Sequence, residues 1–427
     1  MKIKAVSQTT IGNVYILANN DDLLVGRGVT LRCTYSDPVT HTGSDAIIAW
    51  TGTHNITVMG TIYGADEAIN LVGCVTAQTV VIRASGRLYS GDGIVHDADG
   101  VILDGVGSAL KNAGEIHATG SAASVLVPDA GSTWISNSGV MYGDVSGVWH
   151  KFGNGVLNFT NSGRVESPTA SFIGGMSTDN VRNAGQMIGL VDLGGGNDTY
   201  DGRGGSVTGT VLGGAGDDHF VAGNAVDVFD GGEGIDTLDL SMMKYGMRID
   251  LVTPAQNVGA VVLGDSYTGI EHFILGKKAD ILIGDAVANI IEGRDGSDTL
   301  SGGGGDDVLI GGLKADALTG GAGADRFVFN ALAERGDSIS DFASAEDRIV
   351  LKASGFGYGT TTGVLSADDF VSATSEFAAA DASDHFIWRT TDNTLWFDAD
   401  GNGAGGPMFL LRLQAGADLS AAAIEFI

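Results

Sequence analysis

Between residues 275 and 328 an aspartate or asparagine recurs every nine positions: Asp280, Asn289, Asp298, Asp307, Asp316 and Asp325. Two residues beyond each stands an apolar side chain: Leu282, Ile291, Leu300, Leu309, Leu318 and Phe327. An earlier run carries Asp198, Asp218, Asp227 and Asp236 in the same context, broken by a poor copy around Val207 and an offset at Val211 and Leu212. A carboxylate offered once per repeat, beside the carbonyls of a glycine-rich turn, is a hard, oxygen-only donor set. Such a set suits Ca²⁺, which takes about 6 to 8 oxygens in flexible geometry. Binding of several Ca²⁺ ions is therefore expected, with the ion rather than backbone propensity ordering the turns.

Those side chains need elements that aim them. In the unit "GGGGDDVLI" (302–310) the first six residues read as a turn and Val308, Leu309 and Ile310 as a short strand. Glycine reaches backbone angles closed to other residues, so the turn can point several carbonyls at one place. The strand sends its middle residue inward. Each turn supplies half a site, and a pair of units makes one coil of a solenoid. Repeat n then stacks on n+2, which puts Asp280, Asp298 and Asp316 on one edge and Asn289, Asp307 and Asp325 on the other.

The units "GGAGDDHFV" (213–221), "GGEGIDTLD" (231–239), "GGGGDDVLI" (302–310) and "GGAGADRFV" (320–328) fit the pattern G-G-x-G-x-D-x-U-x at each defined position. The calcium-binding nonapeptide of RTX, or repeats-in-toxin, proteins has this form, and the chain closely resembles that family of type I-secreted bacterial proteins. The resemblance implies a parallel β-roll with one Ca²⁺ per stacked pair of turns. Departures are Val207 at the ligand position and Ala225, Lys278, Val287 and Lys314 at the fourth glycine, which predicts weak or empty sites there. "GIEHFILG" (269–276) resembles the family's lead-in to a second block, and residues 323–351 resemble its exit strand and cap. The tail "DLSAAAIEFI" resembles an uncleaved signal for type I secretion.

Upstream the period is longer. "LKNAGEI" (110–116), "ISNSGVM" (135–141), "FTNSGRV" (159–165) and "VRNAGQM" (181–187) share an asparagine two residues before a glycine. Repeats of this length with short β runs predict a parallel β-helix, with a β-sandwich as the alternative. Asn112, Asn137, Asn161 and Asn183 are expected to occupy left-handed turns and stack their amides. Val81, Ile102, Leu126 and Val156 are expected inside. The shortening repeat predicts that the helix runs into the first calcium block without a linker.

Composition narrows the function. The chain has 427 residues and 68 glycines, with 52 acidic against 23 basic residues and a net charge of −29. Nucleic acid and anionic membranes would repel such a surface. No apolar run is long enough for a membrane helix, and residues 1–22 lack the apolar core of a cleavable signal peptide. With two cysteines, Cys33 and Cys74, a disulfide scaffold is excluded, though whether they pair stays open. Neither His-Glu-x-x-His nor Gly-x-Ser-x-Gly occurs, so the zinc-protease and serine-lipase readings fall away. Near the C-terminus, "DADGNG" (398–403) places Asp398, Asp400 and Asn402 like the start of an EF-hand loop, but Phe409 replaces the closing glutamate. Asp398 and Asp400 are thus either ligands for one more Ca²⁺ or part of a hairpin turn.

The expected architecture is all-β: a right-handed parallel β-helix (1–190), a first β-roll block (191–239), a β connecting segment (240–274), a second block (275–328) and a β-rich cap with the secretion signal (329–427). The expected role is a secreted, cell-surface or extracellular structural, adhesive or matrix protein without an enzyme domain. Expected partners are further copies of the chain in filaments or a surface layer, a cell-surface polysaccharide, and the type I secretion machinery. The N-terminal strands begin almost at Met1, which suggests head-to-tail docking through that edge. One alternative is a uronate lyase or epimerase on the β-helix, using His96, Asp97, Asp99, Asp66 and Glu67 with Arg83 or Arg87. Another is a glycan-binding adhesin with Trp134 and Trp149 as stacking platforms.

Overall fold

Short alternating strands between Gly, Asn and Asp turns bury nothing alone; each is stabilised by the equivalent strand of the next coil. The computed structural model describes residues 2–11, 13–18, 20–34, 45–74, 76–91, 98–127, 131–257, 264–374, 385–401 and 405–427. His96, Asp97 and Asn402 lie outside the described residues. The chain is all-β and divides into two units, Met1–Asp236 with Tyr267–Gly269, and Thr237–Ser266 with Ile270–Ile427.

In the first unit each coil contributes a strand to three parallel faces. One face runs from Lys2–Lys4 through Asp22–Val25, Asn55–Val58, Thr79–Ile82 and Ala109–Asn112 to Asp179–Asn183, Thr199–Asp201 and His219–Val221. The second starts at Gln8–Ile11 and the third at Tyr15–Leu17. Arg164–Ile173 and Gln186–Asp192 each serve the second and third faces in a single strand. The second face then ends at Ser206–Val207, paired with Gln186 and Met187. Val207 thus closes the shrinking coil and is not the sixth residue of a degraded nonapeptide, which corrects the sequence expectation. Stacked positions accordingly draw together, from 25 residues apart at Asn112 and Asn137 to 18 at Asp218 and Asp236.

The asparagines stack as expected. The side-chain amide of Asn112 donates to Asn137 Oδ1 at 2.8 Å, Asn137 to Asn161 at 2.9 Å, and Asn161 to Asn183 at 2.9 Å. None has a left-handed backbone, contrary to expectation. Each instead uses Oδ1 to accept the N–H of the glycine two residues on, Gly114, Gly139, Gly163 and Gly185. The expected inward residues are also corrected. Val81, Leu126 and Val156 are half-buried on the outer side, while Val80, Ile82, Val125 and Leu157 fill the core; Ile102 is buried as expected. A one-residue slip in a strand exchanges its faces. Outside the second face, the rings of Tyr63, Tyr89, His117 and Tyr142 form a column with centroids 5.0, 5.5 and 6.0 Å apart.

The second unit has two parallel faces. His272–Ile274, Ile290–Glu292, Val308–Ile310, Arg326–Phe329 and Arg348–Leu351 form one. Arg248–Asp250, Ile281–Ile283, Thr299–Gly304, Ala317–Ala322 and Asp337–Ile339 form the other. The register offset is 18 residues through the repeats, for example Ile281 on Thr299, so repeat n does stack on n+2. The eighth positions Leu282, Ile291, Leu300, Leu309, Leu318 and Phe327 are the buried core. Met408–Leu413 adds to the last coil in parallel, then pairs antiparallel with Thr394–Phe397, which pairs antiparallel with Phe386–Arg389. The reversed strands and the buried aromatics Phe386, Trp388 and Phe397 cover this end of the roll, as a solenoid edge requires.

Replacing Asn137 by Ala removes the partner of both neighbours in the amide column. The expected cost is about 2 kcal/mol, from buried polar groups left short of partners, read as a lower denaturant midpoint. Val81→Thr, on the outer side, is expected to shift it little.

Candidate metal centre

In the turn 302–307, Gly303 and Gly305 take φ of 108° and 95°. A Cβ on Gly303 would run into the Asp285 carbonyl of the adjoining coil, so the close stacking itself demands glycine. The same left-handed pair recurs at Gly214 and Gly216, Gly232 and Gly234, and Gly321 and Gly323.

The sixth side chain ties successive coils together. In the first unit Asp198 Oδ1 accepts the backbone N–H of Asp179 at 2.7 Å, Asp218 that of Asp198 at 2.8 Å, and Asp236 that of Asp218 at 2.7 Å. In the second unit one edge runs Met247, Asp280, Asp298, Asp316 and Asp337, each side chain accepting from the residue before at 2.7–2.9 Å. The other edge runs Asn289, Asp307, Asp325 and Asp347, at 2.7–3.0 Å.

What the remaining carboxylate oxygen does divides the turns into two kinds. In Asp198, Asp218, Asp298, Asp307, Asp316 and Asp337 that oxygen is buried and has no hydrogen-bond partner among the described residues. A buried polar atom left in this state is costly. These oxygens converge on others. A Cβ at Gly293 would lie 2.7 Å from Asp298 Oδ2 and 2.5 Å from the Gly311 carbonyl. At Gly311 it would meet Asp316 Oδ2 at 2.5 Å and Asp337 Oδ2 at 2.9 Å. Orphaned carboxylates and carbonyls meeting beside glycine form an oxygen-only cradle that fits Ca²⁺.

In the second kind the side chain folds back on its own turn. Asp227 accepts from Gly223 N–H at 2.9 Å, Asp280 from Gly276 at 3.1 Å and Asn289 from Asp285 at 3.2 Å. These turns carry Ala225, Lys278 and Val287 at the fourth position, and no residue of theirs is left-handed, whereas each turn of the first kind has at least one left-handed residue. Lys314, the remaining departure, does adopt the left-handed form, with φ 86°.

Three sixth-position aspartates escaped the sequence reading: Asp179 in "GGMSTDNVR" (174–182), Asp337 in "LAERGDSIS" (332–340) and Asp347 in "FASAEDRIV" (342–350). The ladder thus continues beyond residue 328. The apolar eighth positions Val181, Ile339 and Ile349 carried the signal, with Gly174 and Gly175 in the first of these segments alone matching the motif glycines. Asp179 is a special case. It accepts from Gly175 N–H at 2.9 Å and pairs with the wholly buried His150 at 2.8 Å.

Burial raises the pKa of the open-turn carboxylates, against the lowering effect of the backbone N–H and with reinforcement from neighbouring acids. Asp198 and Asp337 are pushed up to about 8, Asp298 and Asp307 to about 7 and Asp218 to about 6. A bound cation would relieve the same penalty.

The remaining candidates scatter. Asp398 and Asp400 sit at a hairpin, with Asp400 N–H donating to Asp398 Oδ1 at 3.2 Å and Gly405 N–H to Asp400 Oδ2 at 2.9 Å. Asp66 and Glu67 meet Asp45, their carboxylate oxygens within 4.8 Å of one another; burial, then Asp45, raises the Glu67 pKa. Asp99 is instead buried beneath the Ser121 N–H, 3.8 Å from Lys151. Arg87 pairs with Glu115 at 2.8 Å, and Arg83 is exposed. Trp134 and Trp149 lie on different faces, so they form no joint platform. Cys33 and Cys74 are not disulfide-linked. Among the described residues no helix is long and apolar enough to cross a membrane.

The raised pKa values fix a sign. Without metal, the folded chain holds protons that the unfolded chain releases above the ordinary value of 3.8. Stability is then full below that value and lost as pH rises toward about 8. In chelator the denaturation midpoint is expected to be higher at pH 5 than at pH 8, and saturating Ca²⁺ is expected to remove the difference. A midpoint that rises with pH in chelator would contradict the burial of these groups.

No curated protein matches the chain. A family model, the RTX calcium-binding nonapeptide repeat (4 copies), matches residues 204–238, 274–309 and 301–331. These segments contain the glycine turns with orphaned carboxylates at Asp218, Asp298 and Asp307. These segments of the chain are thus RTX-type calcium-binding nonapeptide repeats folded as a β-roll.

Proposed function

We propose that the chain is exported unfolded and folds outside the cell on calcium, to serve as an extracellular structural or adhesive solenoid. The observation that carries this reading is the row of buried, unpartnered carboxylate oxygens stacked beside glycine turns. In the ion-poor cytosol these acids repel one another and their burial is penalised; where calcium is abundant, bound cations supply the missing positive charge. Binding that occurs only in the folded state adds stability by mass action. Asp198, Asp218, Asp236, Asp298, Asp307, Asp316 and Asp325, with Asp337, are the proposed ligands. Asp227, Asp280 and Asn289 are proposed to stabilise their turns internally instead, and Asp398 with Asp400 to hold the hairpin.

Export by a type I route is proposed from the repeat family and the tail's resemblance to its secretion signals. Self-association along the solenoid axis is proposed from the first coil. Among the described residues Lys2–Lys4, Gln8–Ile11 and Tyr15–Leu17 each pair on one side. Such edges are ready templates for another chain.

One observation favours a second reading, a polysaccharide lyase or epimerase on the β-helix. Asp45, Asp66 and Glu67 are brought together, and Glu67 stays protonated to higher pH than an ordinary glutamate. Turnover of a uronate polymer that Glu67→Gln abolishes would establish it.

Circular dichroism tests the main reading. β-content is expected to rise on adding Ca²⁺ to chelated protein. Asp307→Ala is expected to raise the calcium midpoint several-fold, and Asp227→Ala to leave it nearly unchanged. Equal β-content with and without chelator would refute the folding switch. Electron microscopy in calcium is expected to show end-to-end rods; only short, uniform particles would remove the self-association.

A further inference from the structure

Several described arginines of this acidic chain are neutralised where they stand. Arg87 pairs with Glu115, Arg164 with Glu166, Arg203 with Asp201, Arg248 with Asp250, Arg326 with Glu425 and Arg389 with Asp392. One edge of the second unit departs from this. Its stacked turns 275–280, 293–298, 311–316 and 332–337 carry Lys277, Lys278, Arg294, Lys314 and Arg335. The opposite edge, turns 284–289, 302–307, 320–325 and 342–347, has no lysine or arginine and exposes Asp306 and Glu346. Among the described residues, none of Lys277, Lys278, Arg294 and Lys314 forms an ion pair.

The backbone singles out the same edge. Arg294 and Lys314 adopt φ of 72° and 86°, and the only other non-glycine residue in that region among those described is Asn393. Equivalent positions in the glycine-rich turn 302–307 are Gly303 and Gly305. A long side chain in the left-handed region is strained, and such outliers persist where the side chain has work that glycine cannot do. Both outliers are cations, and they stand on adjacent coils of one edge. Beside them lies a cavity of about 300 Å³. Lys277 and Arg294 line it together with Leu313, Asn330, Asp295, Glu334 and Glu292, the last paired with His272 at 3.0 Å.

We propose that this cavity binds a carboxylated sugar unit of an anionic polysaccharide. Lys277 and Arg294 meet the carboxylate, Asn330, Asp295 and Glu334 offer partners to the hydroxyls, and the exposed Leu313 packs against the ring. A neutral glycan leaves the cations unused. A purely anionic polymer brings its charge against Glu292, Asp295 and Glu334. The mixed lining therefore selects a ligand with both carboxylates and hydroxyls. Lys314 and Arg335 carry positive charge to the following coils, each about 4.8 Å further along, where neighbouring acidic units of the polymer lie. The inference rests on the calcium-folded surface reading and names the partner class it takes.

The test uses the full chain in calcium, titrated calorimetrically with trigalacturonate, maltotriose and triglutamate. Trigalacturonate is expected to bind best, with affinity falling as salt rises. The double variant Arg294→Gly, Lys314→Gly relieves the strained backbone, so its calcium-induced dichroism is expected to persist while affinity drops about ten-fold or more, the scale of losing charge-assisted hydrogen bonds. Lys277→Ala, at an exposed site, is expected to weaken binding without touching any turn. Unchanged affinity in these variants would overturn the proposal, as would equal binding of maltotriose or of triglutamate. If calcium left the dichroism of the parent chain unchanged, the folding reading would fall, and the ligand comparison would still decide this one.

Discussion

The structure depends on one unequal division of labour within a carboxylate. Each sixth-position aspartate has two oxygens inside a stack of coils. One accepts a backbone N–H from the adjoining coil and fixes the register. In the open turns the other has no donor among the described residues, and burial makes it costly to keep charged. Glycine density, coil spacing and the calcium-binding character of the repeats follow from that second oxygen. A turn tight enough to bury it needs left-handed residues, and a buried anion needs a cation or a proton.

The asparagine column of the first unit shows the alternative. An amide both donates and accepts, so Asn112, Asn137, Asn161 and Asn183 satisfy one another and their own turns without any ion. A carboxylate only accepts. Two ladders of similar shape thus have opposite ionic requirements, one self-sufficient and one completed from outside. Where the three-faced coil narrows to two faces, the chain places Asp179 against the buried His150, so a side chain meets the first aspartate of the column. Within this unit the change from an amide ladder to a carboxylate ladder is also a change from a column that satisfies itself to one that leaves acceptor oxygens open.

The turns also show how a degenerate repeat distributes its exceptions. Loss of the fourth glycine at Ala225, Lys278 and Val287 closes the turn, and the sixth side chain is consumed locally. At Lys314 the turn stays open despite the side chain. The same substitution type, lysine for glycine, therefore gives opposite outcomes at Lys278 and Lys314.

How much of this was legible in the sequence depends on the range of the interaction. The nine-residue period fixed the eighth-position core and the n+2 stacking, because turn and strand are local and the coil length there is constant. The Asn-x-Gly spacing likewise foretold the amide column. Where the coil length varies, the reading slipped: Val81, Leu126 and Val156 were placed inside, whereas the neighbouring residues are buried. A period of two residues gives no absolute phase until a strand meets its neighbour. Asp337 and Asp347 were missed because their turns lack the glycines, although the cross-coil hydrogen bond is intact. Only the tertiary structure decided which turns leave an oxygen without a donor and that Arg294 and Lys314 share an edge, since both depend on contacts between residues 18 or more positions apart.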